Sequence, residues 1–225
     1  MDAVKVLEEI SRRVSVCENC QLYHSRKNSV PGEGPATSEV MFIGEGPGFY
    51  ENEQGRPFVG AAGKFLDELL SKAGLLRSEV YITNVVKCRP PGNRDPLPEE
   101  LSACSDFLEK QIEVINPLII VTLGRFSMAR YLPNAKISSV HGQPRWVNNR
   151  LIVPMFHPAA ALHQPALKSS VERDFAQLPQ WIVQAKKARQ TAAAPQVEKP
   201  AVSEPLPVED EDAGTTPPAT QLSLF

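Results

Sequence analysis

The chain has 225 residues, 42% of them hydrophobic, with a formal net charge of −2, enough apolar material for one ordinary domain with a buried core and some chain to spare. It holds no run of about 18 apolar residues, the length that a membrane-spanning helix requires, and the opening Met1-Asp2-Ala3-Val4-Lys5 lacks the long apolar stretch of a secretory leader, so a cytoplasmic protein is expected. Charge is uneven: residues 191–225 carry one of the 24 basic and six of the 26 acidic residues, leaving a slightly basic globule that suits nucleic-acid work without demanding it.

Val4, Leu7, Ile10 and Val14 recur at helical spacing and predict a first helix that ends before Cys17. Glu39–Ile43 reads as a buried strand closed by Gly44, Gly46 and Gly48. Phe65, Leu66, Leu69, Leu70 and Ala73 make a helix face stopped by Gly74. Val80–Thr83 is a second strand, and Leu101, Cys104, Leu108, Ile112 and Ile115 mark another helix. Pro117–Leu123 is a strand ended by Gly124, and Leu151–Val153 is a fourth, running into Pro154-Met155-Phe156-His157-Pro158. A helical pattern from Val171 to Ala188 is interrupted by Pro179, which should kink or restart it. Alternating helices and continuously apolar strands predict an α/β fold, a three-layer α/β/α sandwich around a four-stranded, mostly parallel sheet. In such folds ligands bind at the carboxyl ends of the strands. The polar and glycine-rich segments after Ile43, Thr83 and Val153 fall there and point to one site.

The domain should occupy residues 1–190. Residues 191–220 hold six prolines, the acidic run Glu209-Asp210-Glu211-Asp212 and no aromatic residue, so they read as a disordered linker. The final Gln221-Leu222-Ser223-Leu224-Phe225 turns apolar again.

Cys17 and Cys20 form a C-x2-C pair, and Cys88 and Cys104 lie far along the chain. In a reducing compartment a four-thiolate metal site is a better reading than disulfides. Zinc and an iron–sulfur cluster both accept four thiolates, and spacing does not choose between them. The turn Gly44-Glu45-Gly46-Pro47-Gly48 is a poor dinucleotide fingerprint: position 49 is Phe49, and Pro47 removes an N–H that a phosphate cradle would use. It offers instead close backbone approach to a ligand and a carboxylate, Glu45, at a strand end.

Taken with Gly55-Arg56-Pro57-Phe58-Val59-Gly60, Thr83-Asn84-Val85-Val86-Lys87-Cys88-Arg89-Pro90-Pro91 and His157-Pro158, this turn resembles the family 4 uracil-DNA glycosylases in order, spacing and cysteine placement, over about residues 3–185. The resemblance implies a four-stranded parallel α/β fold, a [4Fe–4S] cluster on Cys17, Cys20, Cys88 and Cys104, and excision of uracil from DNA. Asn84 and His157 would then be functional. A base must be flipped out of the stack to be reached; Phe58 would stack on it, and the Asn84 amide matches uracil O4 and N3–H. His157 could donate to O2, where charge collects as the bond breaks. Glu45 and Glu51 are the carboxylates that could orient water or offset sugar charge. Gly46 and Phe49-Tyr50 stand where the family motif often carries Ala and acids, and the wall that rejects thymine belongs to this turn. Lys87, Arg89 and Arg94 are candidate phosphate contacts, and Leu162 a candidate wedge into the base stack.

The C-terminal peptide resembles the motif with which bacterial repair proteins bind the sliding clamp, through Gln221, Leu222, Leu224 and Phe225, with the linker as tether. A bacterial, nucleoid-associated monomer is expected. Competing readings are a non-catalytic iron–sulfur damage sensor, a zinc-stabilised binding domain, and a related glycosylase that stays covalently attached to its abasic product, for which His141 is the loop candidate as nucleophile. His24, His141 and His163 otherwise read as structural.

Overall fold

The computed structural model describes residues 2–193. The linker and the clamp-like peptide lie outside these residues, except that the last helix continues through Ala193 and so overruns the boundary placed at 190. Among the described residues no helix is long and apolar enough to cross a membrane.

The elements run in the order α1 (Ala3–Ser15), β1 (Val40–Gly44), α2 (Phe49–Gln54), α3 (Ala61–Lys72), β2 (Tyr81–Asn84), α4 (Pro98–Ile115), β3 (Ile119–Leu123), α5 (Arg125–Ala129), α6 (Ile137–Val140), β4 (Arg145–Val147), β5 (Arg150–Met155), α7 (Pro158–His163), α8 (Lys168–Ala176) and α9 (Leu178–Ala193). The Asp2 carboxylate caps α1 by accepting from the Val4 N–H at 3.0 Å. Pro179 falls in the first turn of α9, where its missing N–H costs nothing, and so it restarts the helix rather than kinking it.

The sheet has five strands in the order β2-β1-β3-β5-β4. The four parallel strands are those expected; the fifth, β4, pairs antiparallel with β5 through a tight turn at Asn148 and Asn149. Its burial runs exposed, exposed, half-buried, so it lacks the apolar run by which the others were recognised. Both turn asparagines have positive φ, as a two-residue hairpin demands.

Side chains alternate across the sheet with period two. Val40, Phe42, Ile82, Val121 and Val153 pack beneath α3, α8 and α9, through Leu66, Leu70, Phe175 and Trp181. Met41, Ile43, Tyr81, Ile120 and Ile152 face Leu108 and Ile112 of α4. The three layers arise from this alternation. A third apolar cluster joins α1 to α4 through Ile10, Val14, Leu22 and Phe107 and takes in all four cysteines. Sheet order reverses between β1 and β3, which opens a crevice beyond their carboxyl ends.

Candidate active site

That crevice holds a cavity of about 410 Å³, lined among others by Glu45, Gly46, Glu51, Phe58, Asn84 and His157. β1 ends at Gly44, in register with Asn84 at the end of β2. A Cβ on Gly44 would lie 2.4 Å from Asn84 Oδ1 and 2.7 Å from Phe58 Cζ, so glycine is what lets the strand end, the amide and the ring meet. Asn84 is buried, and its Oδ1 has no hydrogen-bond partner among the described residues. A buried unpaired acceptor on a cavity wall is aimed at a ligand donor.

Phe58 is held in left-handed backbone, φ 51°, a conformation that persists in a bulky residue only when its surroundings enforce it. The enforcement is visible. Arg77 donates to the carbonyls of Pro57 and Phe58 at 2.6 and 3.2 Å, while pairing with Glu33 and Asp67. Glu51 Oε1 accepts from the Val59 and Gly60 N–H groups at 2.9 and 3.0 Å, satisfying the start of α3. A Cβ on Gly63 would lie 1.8 Å from the Phe58 carbonyl oxygen. The Phe58 ring stacks near-parallel on His157, centroids 5.4 Å apart.

His157 precedes α7. The Ala159 N–H donates to its Nδ1 at 3.1 Å, which leaves the proton of the neutral ring on Nε2. Burial pushes its pKa down to about 4, with the Glu51 charge opposing. It is therefore a neutral donor near pH 7. Glu45 differs from Glu51: its carboxylate has no hydrogen-bond partner among the described residues, and burial, with Asp95 nearby, raises its pKa. Gly46 leaves the wall low, since a Cβ there would meet Val86 Cγ2 at 2.8 Å.

The four cysteines line a second, smaller cavity with Val14, Leu22 and Phe107. Arg26 Nη1 lies 3.6 Å from Cys88 Sγ and donates to the Cys17 carbonyl at 2.8 Å, and the Lys87 N–H donates to Cys104 Sγ at 3.3 Å. Burial raises the thiol pKa of Cys20, Cys88 and Cys104, the last to about 11, so as free thiols they would be poor nucleophiles. Among the described residues no group of three His, Cys, Asp or Glu side chains is arranged to hold a single metal ion.

A sequence model of the uracil DNA glycosylase superfamily matches residues 31–178. The type-4 uracil-DNA glycosylase of Archaeoglobus fulgidus is 46% identical over 179 residues, covering 75% of this chain and 89% of that protein. Those of Sulfurisphaera tokodaii and Thermotoga maritima are 48% and 47% identical, covering 75% and 70% of this chain and 81% and 84% of theirs. The chain belongs to the type-4 uracil-DNA glycosylases. A type-5 uracil-DNA glycosylase from Thermus thermophilus matches less, at 36% identity over 46% of this chain.

Within this type-4 chain one of the expected phosphate contacts is corrected. Lys87 is buried, and its Nζ donates to Thr83 Oγ1, the Asn84 carbonyl and Gln111 Oε1 at 2.6, 2.9 and 2.7 Å. Three acceptors use all three N–H bonds of an ammonium, so the residue is an internal strut with nothing left for DNA. Arg94 is exposed on the cavity wall, where its guanidinium also pairs with both oxygens of buried Glu100, at 2.6 and 2.9 Å. A loop sequence does not show which of its basic residues turn inward. Arg89 is half-buried beside Asn93, and Leu162 is exposed on α7; neither lines the cavity, although their neighbours Pro90 and His163 do. His141 is bound to Asp174 at 2.7 Å, packed on Phe156 and outside the cavity lining, which argues against it as a nucleophile. His163, read as structural, does line the cavity; its place at the end of the short helix that His157 caps was the signal. Arg77 and Gln111 carried no motif and were missed.

Proposed function

We propose that this chain flips uracil out of DNA and hydrolyses its N-glycosidic bond, leaving an abasic site. The observation that carries the reading is the buried, unpaired Asn84 Oδ1 beside the Phe58 ring in the cavity at the strand ends. Oδ1 accepts uracil N3–H and Nδ2 donates to O4; cytosine reverses both, leaving the amide mismatched. Phe58 stacks on the ring from a loop that cannot drift. The neutral His157 donates from Nε2 to O2 as negative charge gathers there, a preorganised donor in a site with little water.

Glu51 Oε1 is occupied by the Phe58 loop, so Glu51 acts chiefly by fixing that loop. Glu45 orients the attacking water and faces the cationic sugar. Arg89 makes a phosphate contact, and Leu162 of α7 enters the stack.

Cys17, Cys20, Cys88 and Cys104 hold a [4Fe–4S] cluster. Support comes from four sulfurs on one apolar cavity, N–H donors from Arg26 and Lys87 on two of them, and the family's cysteine frame. Bound there, the cluster braces the loop after β2 and takes no part in bond cleavage. The same reading makes the chain a monomer of the bacterial cytoplasm and nucleoid that meets the sliding clamp through Gln221, Leu222, Leu224 and Phe225.

The test is release of free uracil from a defined oligonucleotide by anaerobically purified protein, with iron and sulfide measured on the same sample. Uracil release with an alkali-labile site left behind is expected. No release by iron-loaded protein would refute the reading, and a denaturing gel without a protein–DNA adduct would exclude the covalent variant.

A further inference from the structure

Phe49 and Tyr50 open α2 directly after Gly48 of the cavity wall. They are 52% and 58% exposed, and their rings meet edge to face at 5.4 Å. Neither belongs to an apolar cluster of the core. The Arg89 guanidinium, from the loop after β2, lies 5.3 Å over the Phe49 ring. On α7, Leu162, next to the cavity-lining His163, is 47% exposed. The cavity lining runs up to these groups: Gly48 adjoins Phe49, Pro90 adjoins Arg89 and His163 adjoins Leu162. Adjacent exposed aromatic rings at the rim of a binding cavity are a surface that awaits a partner.

We infer that Phe49 and Tyr50 form a stacking platform for an unpaired base next to the flipped uracil on the same strand, with Arg89 beside them for the adjoining phosphate. The inference rests on the reading that the cavity takes uracil, and goes beyond it by assigning the neighbouring nucleotide a site. Three observations select this occupant. A nucleotide with its base in the cavity leaves its backbone outside it, so the next base on the strand meets the surface beside the lining, where Phe49 and Tyr50 follow Gly48. Every base offers a π face, which an aromatic ring accepts without regard to sequence. The guanidinium over Phe49 brings positive charge to the same surface as the rings, the pairing that single-strand-binding surfaces use for backbone and base together. A duplex keeps neighbouring bases stacked on one another, so the platform favours uracil in single strands.

The experiment uses the full-length, iron-loaded protein and single-stranded oligonucleotides carrying a non-hydrolysable uracil nucleoside analogue. One oligonucleotide has ordinary bases on both sides; the other has abasic tetrahydrofuran spacers there. The unmodified protein should bind the first more tightly by on the order of tenfold, the range of one base–aromatic stack. The double variant Phe49→Ala, Tyr50→Ala should bind both alike. Equal binding of the two by the unmodified protein would overturn the inference, as would a double variant that keeps the full difference. Both side chains are exposed, so the variant should fold; if it does not, Tyr50→Ser alone and the spacer comparison on the unmodified protein still decide. Failure of the parent reading is seen separately, as no uracil released from a cleavable version of the first oligonucleotide.

Discussion

The base cavity and the cysteine cavity meet along one short stretch, Asn84 to Cys88, and treat their polar groups in opposite ways. On the base side groups are left unmet: Asn84 Oδ1 has no partner among the described residues, and His157 keeps Nε2–H directed away from its backbone contact. On the cysteine side they are saturated: Lys87 Nζ has three acceptors, and Gln111 Nε2 donates to the Pro31 carbonyl and Tyr81 hydroxyl at 2.8 and 3.0 Å. One region is built for a guest and the other for permanence. Lys87 joins them, with its backbone N–H on Cys104 Sγ and its side chain on the carbonyl of Asn84.

The contrast breaks most sharply if the unmet groups are removed. Asn84→Ala and His157→Ala should each slow single-turnover uracil release by about 10²–10³-fold, the range for losing one preorganised donor, with an unchanged melting temperature for Asn84→Ala and, for His157→Ala, only the loss of about 1 kcal/mol that removing the α7 cap brings. Loss of folded protein in proportion to the loss of rate would make these residues structural. Lys87→Met should do the reverse: it strands three buried acceptors and lowers unfolding free energy by about 2–4 kcal/mol in urea titration. Glu51→Gln is intermediate, with a loss of about 1–2 kcal/mol because a neutral amide oxygen replaces a charged acceptor of two N–H groups, accompanied by weaker substrate binding as the Phe58 loop loosens.

Acid pH separates the two regions again. The folded pKa of His157 is pushed from 6.5 down to about 4, so between these values the unfolded chain binds the extra proton and stability falls as pH drops from 6.5 toward 4. His157→Gln should flatten that part of the stability profile, measured by urea unfolding at stepped pH. The smallest change expected is from Arg89→Gln, which should lower the salt dependence of single-strand binding by a slope of about 0.7, one phosphate.

The layered fold was legible because Val40–Ile43, Ile119–Val121 and Leu151–Val153 are apolar without interruption, and because glycines and prolines punctuate them. The antiparallel β4 was not, since an edge strand with Arg145 and Trp146 exposed carries no buried face to recognise. In the site, residues whose chemistry is local to a motif (Gly44, Phe58, Asn84, His157) could be named from sequence. Those that act through distant partners could not. Arg77 reaches the Phe58 loop across 19 positions and Gln111 reaches Lys87 across 24, and no short motif records such a pairing. Lys87 was misplaced for the same reason: its charge suggested the surface, whereas its acceptors come from elements that meet only in three dimensions.

The unpaired oxygen of Asn84 also governs the fate of the excised base. Its complement is an imide N–H beside a carbonyl, and that group survives when the base leaves the sugar. On the proposed reading the departing uracil therefore remains a ligand, and free uracil competes with DNA for the cavity. Competitive inhibition by the free base and a rise in melting temperature in its presence should both be seen, and both should vanish in Asn84→Ala.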